Sequence, residues 1–377
     1  MTGPVARINL DALRHNLSRV RELTPGCPVA VAIKANAYGH GLTESALALA
    51  DADAYAVARV EEGLRLRREG IIKKIIVLEG FASQAELRLS HERDFELVIH
   101  DLSQVAQLEA YCASLRTPRE LRDHQGFALW LKIDTGMNRL GFPPEESATL
   151  IARLGQLPNV TLVGVMTHMA NADDRDSSYT QQQLERFKPC IDPELQQSIA
   201  NSACLLNMPL TRTGLVRPGI MLYGASPFSD TTAADEGLQP VMTLRTHLIA
   251  VHRLKKGDVV GYGSTWRCPE DMQVGVAAIG YGDGYPRHAP NGTPVLVDGR
   301  RVALAGRVSM DMVTIDLRQV AGARVGSSVV LWGEGLPVEE VASAAGTISY
   351  ELFCRLTTRV KFRYEGKGLI DQVATFQ

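Results

Sequence analysis

The chain has 377 residues, 45% hydrophobic and 22% charged, with a formal net charge of −2. That length allows two or three domains whose cores need no disulfide or metal staple. The charge balance excludes the basic excess that nucleic-acid phosphates demand, and no apolar run approaches the roughly 18 residues of a membrane helix. Met1 to Leu10 lacks the charged-then-apolar design of a signal peptide, so a cytoplasmic setting is expected. The cysteines Cys27, Cys112, Cys190, Cys204, Cys268 and Cys354 contain no C-x-x-C pair, so neither a disulfide framework nor a metal site is expected. Lysine is scarce, with 9 among the 40 basic residues, and where those few fall is informative.

In chain order, short apolar runs recur at Val29–Lys34, Ala54–Ala58, Ile75–Leu78, Phe95–Ile99, Ala128–Asp134, Leu162–Thr167, Ser198–Asn201 and Leu215–Leu222. Segments with helical spacing separate most of them: Val60–Glu69, Leu102–Leu115, Glu145–Leu154 and Tyr179–Phe187. Strand–helix alternation predicts a parallel sheet, because parallel neighbours need crossover connections. Eight strands in about 225 residues fit a (β/α)8 barrel of the TIM type. An open doubly wound sheet would instead carry G-x-G-x-x-G after its first strand, whereas here that strand runs into KANAYGHG. Residues Ala225–Glu236 read as a linker. Beyond it, alternating runs at Thr243–Val251, Val274–Ile279, Pro294–Val297, Val308–Ile315, Ser328–Trp332 and Val360–Tyr364, with one helix at Val338–Ala345, predict a mainly antiparallel β domain. The expected division is a barrel over 1–230 and a β domain over 231–377.

Lys34 ends the first barrel strand, VAVAI, and so falls at the C-terminal mouth where barrel active sites are built. Desolvation there makes its amine available to a carbonyl; a surface lysine capping a strand end is the plainer alternative. Tyr38 and the glycines after it can approach an anion. Ser202 in ANSA, and the backbone at Gly219 and Ile220 in RPGIMLY, lie at later strand ends and offer further donors. A lysine nucleophile beside an anion-binding turn points to pyridoxal phosphate (PLP). Lys132 and Arg139 share LKIDTGMNRLGF, and a lysine inside a strand is costly unless paired or modified. His168 ends VGVMTHM. In the second domain Tyr262, between two glycines in VGYGSTW, suits an acid–base group if positive charge is near.

Taken together, AIKANAYGHG, KIDTGMNRLGF, THMANADD, LVRPGIMLYG, VGYGSTW, GYGDGYPR, GRVSMDM and ISYE, in this order, resemble the alanine racemase family over nearly the whole chain. The resemblance implies a PLP enzyme that interconverts L- and D-alanine as a homodimer with shared sites, acting on a small amino acid and neither nucleic acid nor membrane. Lys34 would hold PLP as a Schiff base and exchange the Cα proton of D-alanine; Tyr262, from the other subunit, would serve L-alanine. Tyr38, Ser202, Gly219, Ile220 and Tyr350 would bind the phosphate. Arg217 would face the pyridine nitrogen, with His168 in the network that orients it. Arg139 would contact the phenolic oxygen and the substrate carboxylate, and Met310 would complete the carboxylate site. Tyr281 and Tyr350 would narrow the entrance. Lys132 matches a lysine that is carbamylated in several members.

Two departures from the family pattern, Gly282 where many relatives have Ala and RVKF at Arg359–Phe362, touch none of these roles. The reading leaves open a same-fold racemase preferring serine or a longer amino acid. It also leaves open a non-catalytic PLP-binding protein, which VGYG and the β domain argue against. A fold-related decarboxylase would need a carboxylate where Arg217 stands. Either D-alanine biosynthesis for the cell wall or D-alanine catabolism is compatible with the sequence.

Overall fold

The computed structural model describes residues 3–114 and 126–367. Its described residues form two units. One comprises Leu17–Ala37 and Gly41–Gly219; the other comprises the residues up to Asn16, Tyr38–His40 and those from Ile220 onward.

In the first unit seven parallel strands follow one another in sequence order: β2 (Ala30–Ala32), β3 (Ala54–Val57), β4 (Ile75–Val77), β5 (Phe95–Ile99), β6 (Phe127–Lys132), β7 (Val160–Met166) and β8 (Gln196–Ser198). An extended segment at 214–218 takes the eighth position. On one side Ala30 N–H donates to Val216 O at 2.9 Å and Ala32 N–H to Pro218 O at 2.9 Å. On the other, Leu215 N–H donates to Gln197 O and Arg217 N–H to Ala200 O, both at 2.9 Å. The sheet thereby closes into a barrel. Helices at Val60–Arg68, Gln84–Glu92, Leu102–Ser114, Ser147–Gly155 and Tyr179–Phe187 supply crossovers; Leu115, expected to end the third, lies outside the described residues.

The barrel interior mixes small and large side chains. Ala30, Ala54 and Ala56 leave room for Ile76, Val98, Met166, Leu215 and above all Trp130. A Cβ at Gly164 would sit 2.6 Å from the Trp130 ring, so glycine is what admits the indole. The Trp130 indole N–H donates to Glu96 Oε2 at 2.7 Å, and Lys74 pairs with Glu96 Oε1 at 2.8 Å. A buried carboxylate is tolerable only with such partners.

The second unit is built on β9 (Met242–Leu254). It pairs antiparallel with β1 (Val5–Asn9), β12 (Met272–Ala277) and β16 (Ser328–Trp332). Further strands are β13 (Pro294–Val297), β14 (Arg300–Ala303), β15 (Val313–Asp316) and β17 (Lys361–Glu365). A separate two-stranded hairpin, β10 (Val259–Val260) with β11 (Trp266–Arg267), rests on Cys268, Met272 and Val274. The pairing of β1 with β17 is parallel, an exception to the antiparallel pattern.

Several expectations differ from what is seen. The run Val308–Ile315 is a strand only at Val313–Asp316. The eighth run divides, because after Pro218–Gly219 the residues Ile220–Tyr223 form a 3-10 turn. β8 begins two residues earlier than its apolar run suggests. The strand β1 has no counterpart among the expected elements, and it places the residues up to Asn16 with the β unit.

Candidate active site

Lys34 follows β2 and opens an unusual turn. Ala35, Asn36, Ala37 and Tyr38 have φ of +53°, +55°, +55° and +51°. Four successive non-glycine residues in the left-handed region are rare, each costing roughly 1–2 kcal/mol. Local hydrogen bonds hold the turn: Ala37 N–H to Ile33 O at 2.8 Å, Gly41 N–H to Asn36 O at 3.0 Å, and Leu42 N–H to Asn36 Oδ1 at 3.0 Å. Glu62 adds a clamp from the helix Val60–Arg68, accepting from Ala35 N–H and from Ala58 N–H, both at 2.7 Å. Sequence reasoning passed over Glu62 as part of a charged helix face. Its one signal was a glutamate three residues into a helix, where side chains reach back to free N–H groups.

Lys34 belongs to a cluster of basic groups at the ends of the barrel strands. Burial, followed by Arg139, pushes its pKa down; Glu79 and Glu62 oppose this, and Arg217 adds to it. Lys132, at the end of β6, is lowered to about 8 by burial and then by Arg217, Arg139 and Lys34. Asp134 opposes the shift but is the smallest of these contributions, and its Oδ1 accepts from Gly136 N–H at 2.9 Å and Asn138 N–H at 3.0 Å. Lys132, Arg139 and His168 line one crevice. Burial and then Arg217 hold the His168 pKa well below its usual value, so the imidazole is neutral.

Arg217 is 8% exposed. Burial lowers its pKa to about 10, which leaves it cationic at neutral pH. It donates to Ser198 Oγ, to Thr167 O at 2.7 Å and to Ile199 O at 3.4 Å. These partners orient the guanidinium, and His168 faces it electrostatically. Ser198 and Thr167 escaped sequence reasoning because a serine and a backbone carbonyl at strand ends carry no distinctive pattern. Nearby, Gly219 N–H donates to Ser202 Oγ at 2.8 Å, so two of the expected anion donors already converge.

In the β unit, Tyr38 stacks on Tyr223 at 4.8 Å and lies 6.0 Å from the Tyr350 ring. Burial pushes the Tyr38 phenol pKa up, so it remains a hydrogen-bond donor. Ile220 is buried and opens the 3-10 turn. Tyr262, 67% exposed, stands at the tip of the β10–β11 hairpin between Gly261 (φ +73°) and Gly263 (φ +72°). Tyr281 and Met310, more than a third exposed, come together: Tyr281 N–H donates to Ser309 O at 3.0 Å and Gly282 N–H to Met310 O at 2.9 Å.

Comparison with known proteins gives this arrangement a family. The N-terminal domain of alanine racemase matches residues 8–227, and its C-terminal domain matches residues 241–364. The chain is 51% identical to the alanine racemase of Nitrosococcus oceani over 96% of this chain and 99% of that protein. It superposes on the crystal structure of biosynthetic alanine racemase from Pseudomonas aeruginosa with a TM-score of 0.92 at 43% identity, covering 97% of this chain and 100% of that one. The alanine racemase of Bartonella henselae, solved with covalently bound pyridoxal phosphate, gives a TM-score of 0.85 at 26% identity, covering 97% of this chain and 100% of that one. Barrel, β domain and near-full-length identity thus agree: the chain belongs to the alanine racemase family, PLP-dependent isomerases that interconvert L- and D-alanine.

Proposed function

We propose that Lys34 and Tyr262 are the two proton-transferring groups of this racemase, with PLP held at Lys34. The observation that carries this reading is the basic cluster around Lys34, whose amine is lowered by burial and by Arg139. Five basic or neutral nitrogen groups at Lys34, Lys132, Arg139, His168 and Arg217 need an anion, and a phosphate, a phenolate and a carboxylate would supply one. A lysine with a lowered pKa is also the amine best able to attack an aldehyde at neutral pH. The residues present therefore fit the cofactor. Lys34 would bond to it, and the family resemblance assigns its phosphate to Tyr38, Ser202, Gly219, Ile220 and Tyr350. Arg139 and Met310 would hold the substrate carboxylate. When bound, PLP supplies an electron sink for the Cα carbanion.

Racemisation needs a proton removed from one face of Cα and another delivered to the opposite face, which two separate groups accomplish without turning the substrate. Lys34 would hold the proton on the D side. Tyr262, exposed on its hairpin, would act on the L side in the site of a partner subunit, making the enzyme a homodimer. Arg217, a fixed cation with donors only, would face the pyridine nitrogen and, unlike a carboxylate, would not keep it protonated, which would temper the electron sink and disfavour transamination. His168, held neutral, adds no competing charge. Lys132, with a pKa lowered to about 8, has a share of neutral amine that can take up carbon dioxide. The resulting carbamate would give Arg139 the anion that Asp134 does not. A high-resolution map showing a plain ammonium at Lys132 would remove this element.

The deciding experiment incubates the purified enzyme with L-alanine in D2O. Loss of optical rotation together with Cα deuteration is expected. Deuteration with retained rotation would overturn the two-base assignment.

A further inference from the structure

Gly282 departs from the family pattern, and its surroundings give that departure a use. A Cβ built at Gly282 would lie 2.5 Å from Arg359 Nη1, 3.0 Å from Met310 O and 3.3 Å from Met310 Cγ. The guanidinium of Arg359 therefore occupies the space an alanine methyl would take. From there it reaches two carboxylates, with Nε 3.1 Å from Asp283 Oδ1 and Nη2 2.7 Å from Asp311 Oδ1. Asp283 follows Gly282 and is 2% exposed, and its Oδ2 accepts from Gly280 N–H at 2.9 Å. Asp311 follows Met310. Thr357 closes the third side, donating through Oγ1 to Gly282 O at 2.9 Å and through N–H to Asp283 O at 3.1 Å.

Arg359 thus laces the Tyr281 turn to the Met310 turn through side chains, while the backbone bonds from Tyr281 and Gly282 join them through the main chain. An exposed ion pair contributes little, but a guanidinium bridging two carboxylates fixes direction as well as distance. We propose that Gly282 and Arg359 form one positioning pair: the missing side chain at 282 seats the guanidinium, and the guanidinium sets the spacing between Tyr281 and Met310. This rests on the assignment of Met310 to the substrate carboxylate and Tyr281 to the entrance. With Gly282 bare, Met310 O stays within hydrogen-bond reach of the Gly282 N–H at 2.9 Å, which would keep the two turns close and the entrance narrow. An added methyl displaces the far end of Arg359, pushes Met310 outward by a few tenths of an ångström and widens it. The pair is therefore a specificity device that favours alanine over larger amino acids.

The test is a double-mutant cycle on the holoenzyme, with KM and kcat measured for alanine and for serine. Gly282→Ala is expected to raise KM for alanine roughly fivefold with kcat within about twofold, and to narrow the preference for alanine over serine. Arg359→Lys keeps the charge but loses the fork; it should produce a similar change, and adding Gly282→Ala to it should change KM by less than about twofold. Equal effects of Gly282→Ala with and without Arg359→Lys would overturn the pairing. Unchanged KM in Gly282→Ala, with thermal stability at the wild-type value, would overturn the positioning role. Met310→Ala separates the underlying assumption: if it leaves KM for alanine unaltered, the assignment of Met310 to the carboxylate has failed, whatever the cycle shows.

Discussion

Removal of the Glu62 carboxylate tests whether the turn after Lys34 is held by strain against a clamp. Glu62 Oε1 accepts from Ala35 N–H and Oε2 from Ala58 N–H, both at 2.7 Å, and Oε2 also takes a longer bond from Arg59 N–H at 3.3 Å. Hydrogen bonds to a charged group contribute about 1.5–3 kcal/mol each, and these partly exposed ones belong at the lower end. Against them stands the left-handed conformation of Ala35, Asn36, Ala37 and Tyr38, at roughly 1–2 kcal/mol per residue and partly met by the local turn hydrogen bonds. The clamp is a sizeable share of what offsets that cost, so its loss shifts the balance toward a relaxed turn. Glu62→Gln keeps one good acceptor and turns an N–H donor toward the other amide. Glu62→Ala frees both amides and lets the turn relax, carrying Lys34 out of the basic cluster. Loss of about 1.4 kcal/mol of restraint is a tenfold change in the competent population.

The assay is the rate at which apoenzyme takes up PLP, followed by imine absorbance and by borohydride trapping at Lys34. Glu62→Gln should slow uptake several-fold and Glu62→Ala by at least tenfold. Glu62 also raises the pKa of Lys34, so in both variants the lysine should titrate at lower pH than in the wild type. Wild-type uptake and an unmoved titration in Glu62→Ala would refute the clamp.

Tyr262→Phe should abolish racemisation while retaining the yellow cofactor; loss of colour would make Tyr262 a cofactor anchor instead. Lys132 has a folded pKa of about 8 against 10.5 for an ordinary lysine, so the unfolded chain binds more protons between those values. Stability should therefore rise with pH through that window. In carbon-dioxide-free buffer the apoenzyme of Lys132→Met should be more stable than wild type at pH 7, and the difference should shrink above pH 8. A pH-independent difference would refute the assignment. Gly164→Ala places a Cβ 2.2 Å from Gln196 O and 2.6 Å from Trp130, and should cost about 2–3 kcal/mol in denaturant unfolding. A loss below about 1 kcal/mol would mean that the indole has room to move.

Much of the barrel was legible because parallel strands buried on both faces read as unbroken apolar runs, as at Ala54–Val57 and Ile75–Val77, and Phe95–Ile99 stays recognisable with Glu96 as its single polar residue. The eighth position was blurred because Leu215–Leu222 continues apolar past Pro218–Gly219, where backbone geometry and not hydrophobicity ends the extended segment. Val5–Asn9 was missed since Arg7 and Asn9 break its apolar pattern, and its partners lie hundreds of residues away. In the site, Lys34 and Tyr262 were visible through their glycine-rich settings. Glu62, Ser198 and Thr167 were not, because their roles come from the backbone groups they meet. The Gly282–Arg359 contact joins two segments more than seventy residues apart, which no local pattern reveals.

β1 lies between β9 and β17, and Arg7 and Glu365 pair across it 358 residues apart in sequence. A ribosome releases β1 long before either neighbour exists. Through most of synthesis that strand must wait with both edges unpaired, the condition under which nascent chains capture the wrong partner. Loop-closure entropy also makes this pairing one of the last to form. The β unit therefore matures only after β17 has been made, and the hairpin bearing Tyr262 belongs to that late unit. An extension fused ahead of Val5, or a deletion reaching into VARIN, should harm yield and assembly far more than its distance from Lys34 suggests.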